Sequence, residues 1–371
     1  MRPGAILELR QLSKSFDRFR AVDDVSLSID EGQFLTLLGA SGSGKTTTLR
    51  LIAGLEMPTS GTIHFKGADI TDLPPTHRDM RLVFQDFALF PHMTVYDNVA
   101  FGLRLRIARE RFPRREIDRR VRRFLELVHL GDQSGKMPHQ LSGGQKQRVA
   151  LARALVTEPQ VVLFDEPLGS LDANLRKAMQ LELKRMHRNL GRTFIYVTHD
   201  QDEAMTMSDR VAVMQNARLL QVGSPEEIYL RPNSVAVAQF IGAANVMAGQ
   251  VESVAAGVAI VRLSKGPAVR ALDAGNAPAG GSAAAGRPVK VMMRSENFVF
   301  DRTVAGAQCN WMSGRVTERL FLGRSVEYQV ELEPSGEVLT VLDQRQESPA
   351  LLSDGRIEFG IDPQHVRVLA S

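Results

Sequence analysis

The chain holds one cysteine, Cys309, among 371 residues. No internal disulfide can form, which suits a reducing cytosol. Long hydrophobic runs are missing as well: no stretch approaches the ~18 uninterrupted apolar residues of a membrane helix. The N-terminus "MRPGAILELRQLSK" has no signal-peptide apolar region, so the expected place of action is the cytoplasm. Neither sign of charge dominates, and a net charge of +4 does not by itself imply a nucleic-acid partner. What is present is the composition of a soluble globular protein, 43% hydrophobic and 24% charged. The length exceeds what one ordinary core serves, so two domains are expected.

Residues 1–240 alternate short apolar runs with helical stretches. "FLTLLG" (34–39), "VVLFDE" (161–166) and "TFIYVTH" (193–199) have the look of strands buried on both faces. This predicts an α/β fold with a largely parallel sheet and crossover helices. "ILELRQL", "VSLSID" and "GTIHFKG" alternate apolar and polar residues and predict a smaller antiparallel sheet beside it. After "FIGAANVM" (240–247) only β-like runs follow: "GVAIVRL", "PVKVMMR", "SVEYQVEL" and "HVRVLA". Residues 245–371 are read as a separate all-β module, a sandwich or small barrel, with "DAGNAPAGGSAAAG" (273–286) as a loop. Residues 103–124 carry ten arginines against Glu110, Glu116 and Asp118. Without interleaved aromatics they read as a solvated helical face rather than an anion-binding patch, with Ile107, Ile117, Val121 and Phe124 turned inward.

"GASGSGKT" (39–46) follows a strand, precedes a helix and fits a phosphate-binding loop in full. Gly39, Gly42 and Gly44 let backbone N–H groups turn inward around a triphosphate, and the helix start adds its dipole. Lys45 supplies charge to the β- and γ-phosphates, and the Thr46 hydroxyl suits Mg²⁺. "VVLFDE" ends in two adjacent acids that point to opposite faces. Asp165 suits Mg²⁺ through water, and Glu166 suits proton abstraction from an attacking water. His199 closes a third buried strand at the same edge and is read as a γ-phosphate contact. Gln85 in "LVFQD" ends another apolar run and can orient water or coordinate Mg²⁺. Phe16 either stacks on adenine or packs in the N-terminal sheet. A second glycine loop, "LSGGQKQRVALARAL" (141–155), opens another helix, with Ser142 at the N-cap position and Val149, Ala152 and Val156 on its anchoring face.

In this order, these motifs resemble the nucleotide-binding subunits of ABC transporters over nearly all of residues 7–240. "LSGGQ" is that family's signature. The resemblance implies a P-loop NTPase core with a helical subdomain at about 86–160. It assigns ATP to Phe16, Gly39, Ala40, Ser41, Gly42, Ser43, Gly44, Lys45, Thr46 and Thr47, and Mg²⁺ to Thr46, Gln85 and Asp165. Catalysis would fall to Glu166, His199 and Gln85. Ser142, Gly143, Gly144 and Gln145 would cap ATP held by a partner subunit, and Ser170, Leu171 and Asp172 would form the D-loop. "DLPPTHRDMRLVFQDFALFPHMTVYDNVAFGLR" is similar to the importer branch, whose ATPases carry a C-terminal OB-like extension. That extension is either regulatory or dimer-stabilising.

"FIGAANVM" and "LFLGRSVEYQVEL" resemble the polyamine-type group, which implies a polyamine as solute, with iron(III) or another small solute as the alternative. Two positions depart from the pattern: Ser295 stands in "MRSENF" where the extension often has proline, and Ser43 where relatives often have cysteine. The implied assembly is a head-to-tail homodimer on integral membrane permease subunits, peripheral to the cytoplasmic face of the inner membrane. A periplasmic solute-binding protein would be engaged indirectly. A soluble ATPase acting on nucleic acid is the competing class. The short spacing from Gln85 to Ser142 and the lack of cysteine ligands disfavour it, and no nucleic-acid partner is expected.

Overall fold

Residues 34–38, 161–165 and 193–198 are buried at every position, as strands covered on both faces must be. In the computed structural model, which describes residues 4–105, 112–169, 171–264, 266–272, 285–302, 308–333, 335–344 and 355–370, they lie at the centre of one sheet. Ile107, Glu110, Ser170 and residues 273–284 lie outside the described residues. The chain divides into two units, Met1–Pro225 and Glu226–Ser371.

In the first unit, an antiparallel sheet contains β1 (Ala5–Phe16), β2 (Phe19–Asp30), β4 (Ser60–Phe65) and β5 (Ala68–Asp69) in the order β2-β1-β4-β5. The main sheet contains β3 (Phe34–Leu38), β6 (Met80–Val83), β7 (Val161–Asp165), β8 (Thr193–Thr198), β9 (Arg210–Gln215) and β10 (Arg218–Gly223). Its order is β10-β9-β3-β8-β7-β6, parallel except for the antiparallel pair at the β10 edge. The helices among the described residues are α1 (Lys45–Ala53), α2 (Val95–Arg104), α3 (Arg114–Leu127), α4 (Gly143–Leu155), α5 (Ala173–Leu190) and α6 (Gln201–Met207).

The two-residue period of the strands splits the core in two. Phe34, Phe164, Phe194 and Tyr196 face helices α2 to α5, while Leu35, Leu37, Leu163, Ile195 and Val197 face α1 and the N-terminal sheet. The four rings of the first face form tilted pairs with centroids 5.1–6.0 Å apart. His187 of α5 stacks edge-on against Phe34 and Phe194, and its Nε2 is buried without a partner. Burial pushes this imidazole below its ordinary value of 6.5, against the pull of the Asp209 carboxylate. The folded state therefore resists protonation, so stability is full above about pH 6.5 and is lost as the pH falls through the depressed value. Thermal melts of the H187F variant should show a shallower loss between about pH 7 and 5.5 than the parent chain. An equal slope would remove His187 as the cause.

On α3, Ile117, Val121, Phe124 and Leu125 are buried. Outward arginines pair locally: Arg119 and Arg120 with Glu116, and Arg122 with Asp118. Two arginines hold the Glu116 carboxyl down at about 2.

In the second unit, α7 (Pro225–Leu230) and α8 (Val235–Phe240) precede, among the described residues, ten strands. β11 (Ala244–Ala255), β12 (Val258–Leu263), β13 (Ala268–Leu272), β14 (Pro288–Arg294) and β20 (Val366–Ala370) close a barrel in the order β11-β12-β13-β20-β14. The other five are β15 (Phe298–Val299), β16 (Asn310–Phe321), β17 (Val326–Leu332), β18 (Val338–Asp343) and β19 (Arg356–Ile361). They form an antiparallel sheet that shares one apolar core with the barrel. Two side-chain amides bracket the parts: Asn245 exchanges hydrogen bonds with the Thr340 backbone, and Asn310 with the Arg270 backbone.

The units divide at Pro225/Glu226 rather than near residue 240, because α8 packs Ala238 onto Met292 and Leu369. The buried Arg294 also stacks on Tyr229 and donates to the carbonyls of Tyr229 and Ile241. The serine at position 295 has a local reason: its N–H donates to Ala243 O at 3.0 Å, a bond proline cannot make.

Candidate functional site

The ends of four parallel strands meet at one edge. Leu38 pairs with Thr198, Asp165 with Val197, and Val83 with Phe164. Residues just beyond these ends therefore share that edge: the Gly39–Thr46 loop, Asp165 and Glu166, His199, and Gln85 in the turn after β6.

The glycine loop forms because two of its positions admit no Cβ. A Cβ at Gly39 would lie 2.3 Å from Met214 O, and one at Gly44, whose φ is +99°, would lie 2.4 Å from Ala21 O. A cavity of about 260 Å³ opens beside the loop. Ser41, Gly42, Ser43, Gly44, Lys45, Thr46, Thr47, Glu166, Ala21 and Phe19 line it. Lys45 is only 4% exposed, and its Nζ donates to Gly39 O at 2.7 Å and Ala40 O at 2.8 Å. Burial lowers this ammonium below its ordinary 10.5, opposed by the Glu166 and Asp165 carboxylates. Ser43 Oγ is buried without a hydrogen-bond partner. A glycine-rich loop with a buried, orphaned hydroxyl and a desolvated cation fits a polyanion such as a triphosphate.

Thr46 Oγ1 donates to Asp165 Oδ1 at 2.9 Å, which joins two oxygen donors suited to a hard cation. Burial raises the Asp165 carboxyl above its ordinary 3.8, and the Thr46 hydrogen bond pulls the other way. Glu166 follows with φ of 44°, a left-handed conformation rare for a non-glycine residue. Its N–H donates to Val197 O at 3.1 Å, and its Oε2 lies 3.1 Å from His199 Nδ1. A carboxylate and an imidazole thus form a pair at the cavity's side, with His199 more than half exposed.

Phe16 does not line the cavity. It ends β1 in the open, with Lys14 Nζ 4.7 Å from its ring centroid. Phe19, its partner across the β1–β2 turn, is the aromatic that reaches the cavity. The spacing "FDRF" held the signal, since a two-residue turn sets the two rings opposite each other. Gln85 is exposed in its turn.

Ser142 caps α4 and Gln145 returns the bond: Gln145 N donates to Ser142 Oγ at 3.3 Å, and Ser142 N to Gln145 Oε1 at 3.0 Å. The Gln145 side chain is therefore committed within its own chain. Val149, Ala152 and Val156 are fully buried behind it. Leu171 and Leu175 lie against this loop. A Cβ at Gly143 would meet Leu171 at 3.5 Å, and one at Gly144 would meet Leu175 at 3.1 Å. Asp172 caps α5 through Leu175 N.

Sequence reasoning missed Arg176. Its guanidinium donates to Leu171 O at 3.1 Å and pairs with Asp200, the neighbour of His199, at 3.5 Å. A second cavity, about 340 Å³, is largely apolar and includes the exposed Leu55, Phe84 and Leu105 in its lining. Phe84 directly precedes Gln85.

Residues 22–169 match the family described as ABC transporter, and residues 291–369 match the TOBE domain. The chain is 45% identical to the spermidine/putrescine import ATP-binding protein of Rubrobacter xylanophilus, across 99% of this chain and 94% of the relative. It is likewise 45% identical to the Fe(3+) ions import ATP-binding protein of Rhizobium etli, across 90% of this chain and 89% of that one. Among solved structures, it resembles cbiO1 of Clostridium perfringens, part of an ABC transporter complex. That match has TM-score 0.56 and 33% identity, over 61% of this chain and 90% of that one. An ATP-binding cassette solved as a post-hydrolysis dimer with ADP and phosphate gives TM-score 0.53 at 31% identity, over 59% of this chain and 98% of that chain.

Proposed function

The chain belongs to the ABC transporter family as the ATP-hydrolysing subunit of an importer, and from that premise we propose how its residues act and what it helps to import. The backbone of Gly39–Thr47 and Lys45 bind the triphosphate, and Phe19 bounds the base. Thr46, Asp165 and Gln85 would hold Mg²⁺, which when bound supplies charge that offsets the phosphates. Glu166 takes the proton from the water that attacks the γ-phosphate, and His199, held by Glu166, faces the γ-phosphate.

Ser142, Gly143 and Gly144 are absent from the lining of the chain's own phosphate cavity, which supports their serving the ATP of a second copy in a homodimer, while the Gln145 side chain holds their turn in shape. There the first-turn N–H groups and dipole of α4 cap the γ-phosphate. Leu171 lies beside them, and Asp172 caps the helix that follows. The apolar groove at Leu55, Phe84 and Leu105 takes a cytoplasmic loop of a membrane permease subunit. Among the described residues no helix is long and apolar enough to cross a membrane, so the path for solute belongs to those partners. The subunit works at the cytoplasmic face of the inner membrane.

The solute we propose is a polyamine, on the strength of full-length similarity to spermidine/putrescine import ATP-binding proteins. The Fe(3+) import relative favours iron(III) as second choice. Deletion of the gene should abolish uptake of labelled spermidine or putrescine, and wild-type protein should restore it where E166Q does not. Unchanged polyamine uptake together with lost iron(III) uptake would overturn the polyamine assignment.

A further inference from the structure

The turn after Gln85 is held in an unfavourable shape. Phe87 and Ala88 have φ of 63° and 41°, two consecutive left-handed residues with side chains. Their carbonyls converge on one guanidinium. Arg153 Nη1 donates to Ala88 O at 2.6 Å and Nη2 to Phe87 O at 2.8 Å, and the guanidinium lies 5.6 Å from the Phe90 ring centroid. The rest of the segment is fixed by the fully buried Asn98, which donates to the carbonyls of Phe90, Met93 and Thr94.

Arg153 stands in the last turn of α4, whose first turn is the Gly143–Gly144 loop. Ten residues separate Gly143 from Arg153, a span of roughly 15 Å along the axis. Between them Val149, Ala150, Leu151 and Ala152 are buried, so the helix is packed along its length as a stiff unit. One end of a stiff rod carries the signature loop, and the other grips the turn that follows Gln85 and the groove residue Phe84.

We infer that Arg153 is a positioning residue that transmits occupancy of the Phe84 groove, through the Phe87–Ala88 turn and α4, to the signature loop at Ser142–Gly144. The inference rests on the reading of that groove as the permease contact. Arginine is required because its planar fork serves two successive carbonyls at once, whereas a lysine ammonium has no such fork. Two arrangements of the turn suffice for switching, since a left-handed pair released from its clamp relaxes toward ordinary φ values.

The test compares R153M and R153K with the parent chain, alone and reconstituted with its membrane-spanning partner subunits in lipid vesicles. Basal ATPase of the isolated variants should stay near the parent's, and each should copurify with the partners. Stimulation of ATPase by the loaded importer should fall roughly tenfold in R153M, with R153K intermediate. A88G provides a variant that leaves the core untouched: freed from the need for a clamp, its turn should also lose several-fold stimulation. Full stimulation in R153M, or a basal loss equal to the stimulated loss, overturns the role of Arg153. The groove is judged separately by L55E, which should prevent copurification. If L55E copurifies, the groove reading fails whatever Arg153 does.

Discussion

Replacing Glu166 with glutamine is expected to slow ATP hydrolysis by on the order of 10²–10⁴-fold while leaving ATP binding intact. The carboxamide keeps an oxygen that can accept from His199 Nδ1, 3.1 Å away, so the side chain stays in place. What it loses is the ability to accept a proton from water. None of the loop contacts around Lys45 and Ser43 changes, so nucleotide affinity should be near the parent's. If two chains share their ATP, blocked hydrolysis should also trap the closed pair, visible as a shift in size-exclusion chromatography at saturating MgATP. A protein that stays monomeric under these conditions would refute the shared-site arrangement. One that hydrolyses ATP at the parent rate would remove Glu166 as the base.

The second large effect concerns the phosphate cradle. G44A places a methyl group 2.4 Å from Ala21 O while φ at that position is +99°. Strain and forced overlap with backbone add, for a loss of roughly 2–6 kcal/mol, a large share of a typical domain's stability. Gly42 has φ of +78° but open space around its Cβ position, so G42A carries strain alone, about 1–2 kcal/mol. Both should weaken ATP binding, but only G44A should strongly lower the melting temperature without nucleotide. Circular dichroism is the suitable probe, since the single tryptophan, Trp311, belongs to the C-terminal unit. Equal melting temperatures for the two variants would show that the Ala21 contact gives way.

Local signals made much of this molecule legible. Strands such as 34–38 and 193–198 are short apolar runs with polar borders, and burial on both faces is written into their composition. The phosphate loop, the paired acids and the signature are each a contiguous stretch, so each can be located without a fold. Other features depend on partners far along the chain. The unit boundary shifts to Pro225 because Ala238 packs on Met292 and Leu369, residues no local pattern joins to it. Arg176 meets Asp200 across 24 positions, and Arg153 reaches carbonyls 65 and 66 positions back. Arginines at such positions read as ordinary helix surface until the fold brings their carbonyls to them. The five-stranded barrel likewise needs β20 to close it against β14, a pairing of the last strand with one more than seventy residues earlier.

The reciprocal cap of Ser142 and Gln145 has a kinetic consequence. Loops that order only when a partner arrives slow association and weaken it by the entropy of freezing them. Here two hydrogen bonds within the single subunit already fix the first turn of α4, before any second copy is present. If two ATP-loaded subunits pair through this loop, as proposed above, they meet a finished surface, and the rate of pairing should be governed by diffusion and orientation rather than by folding at the interface.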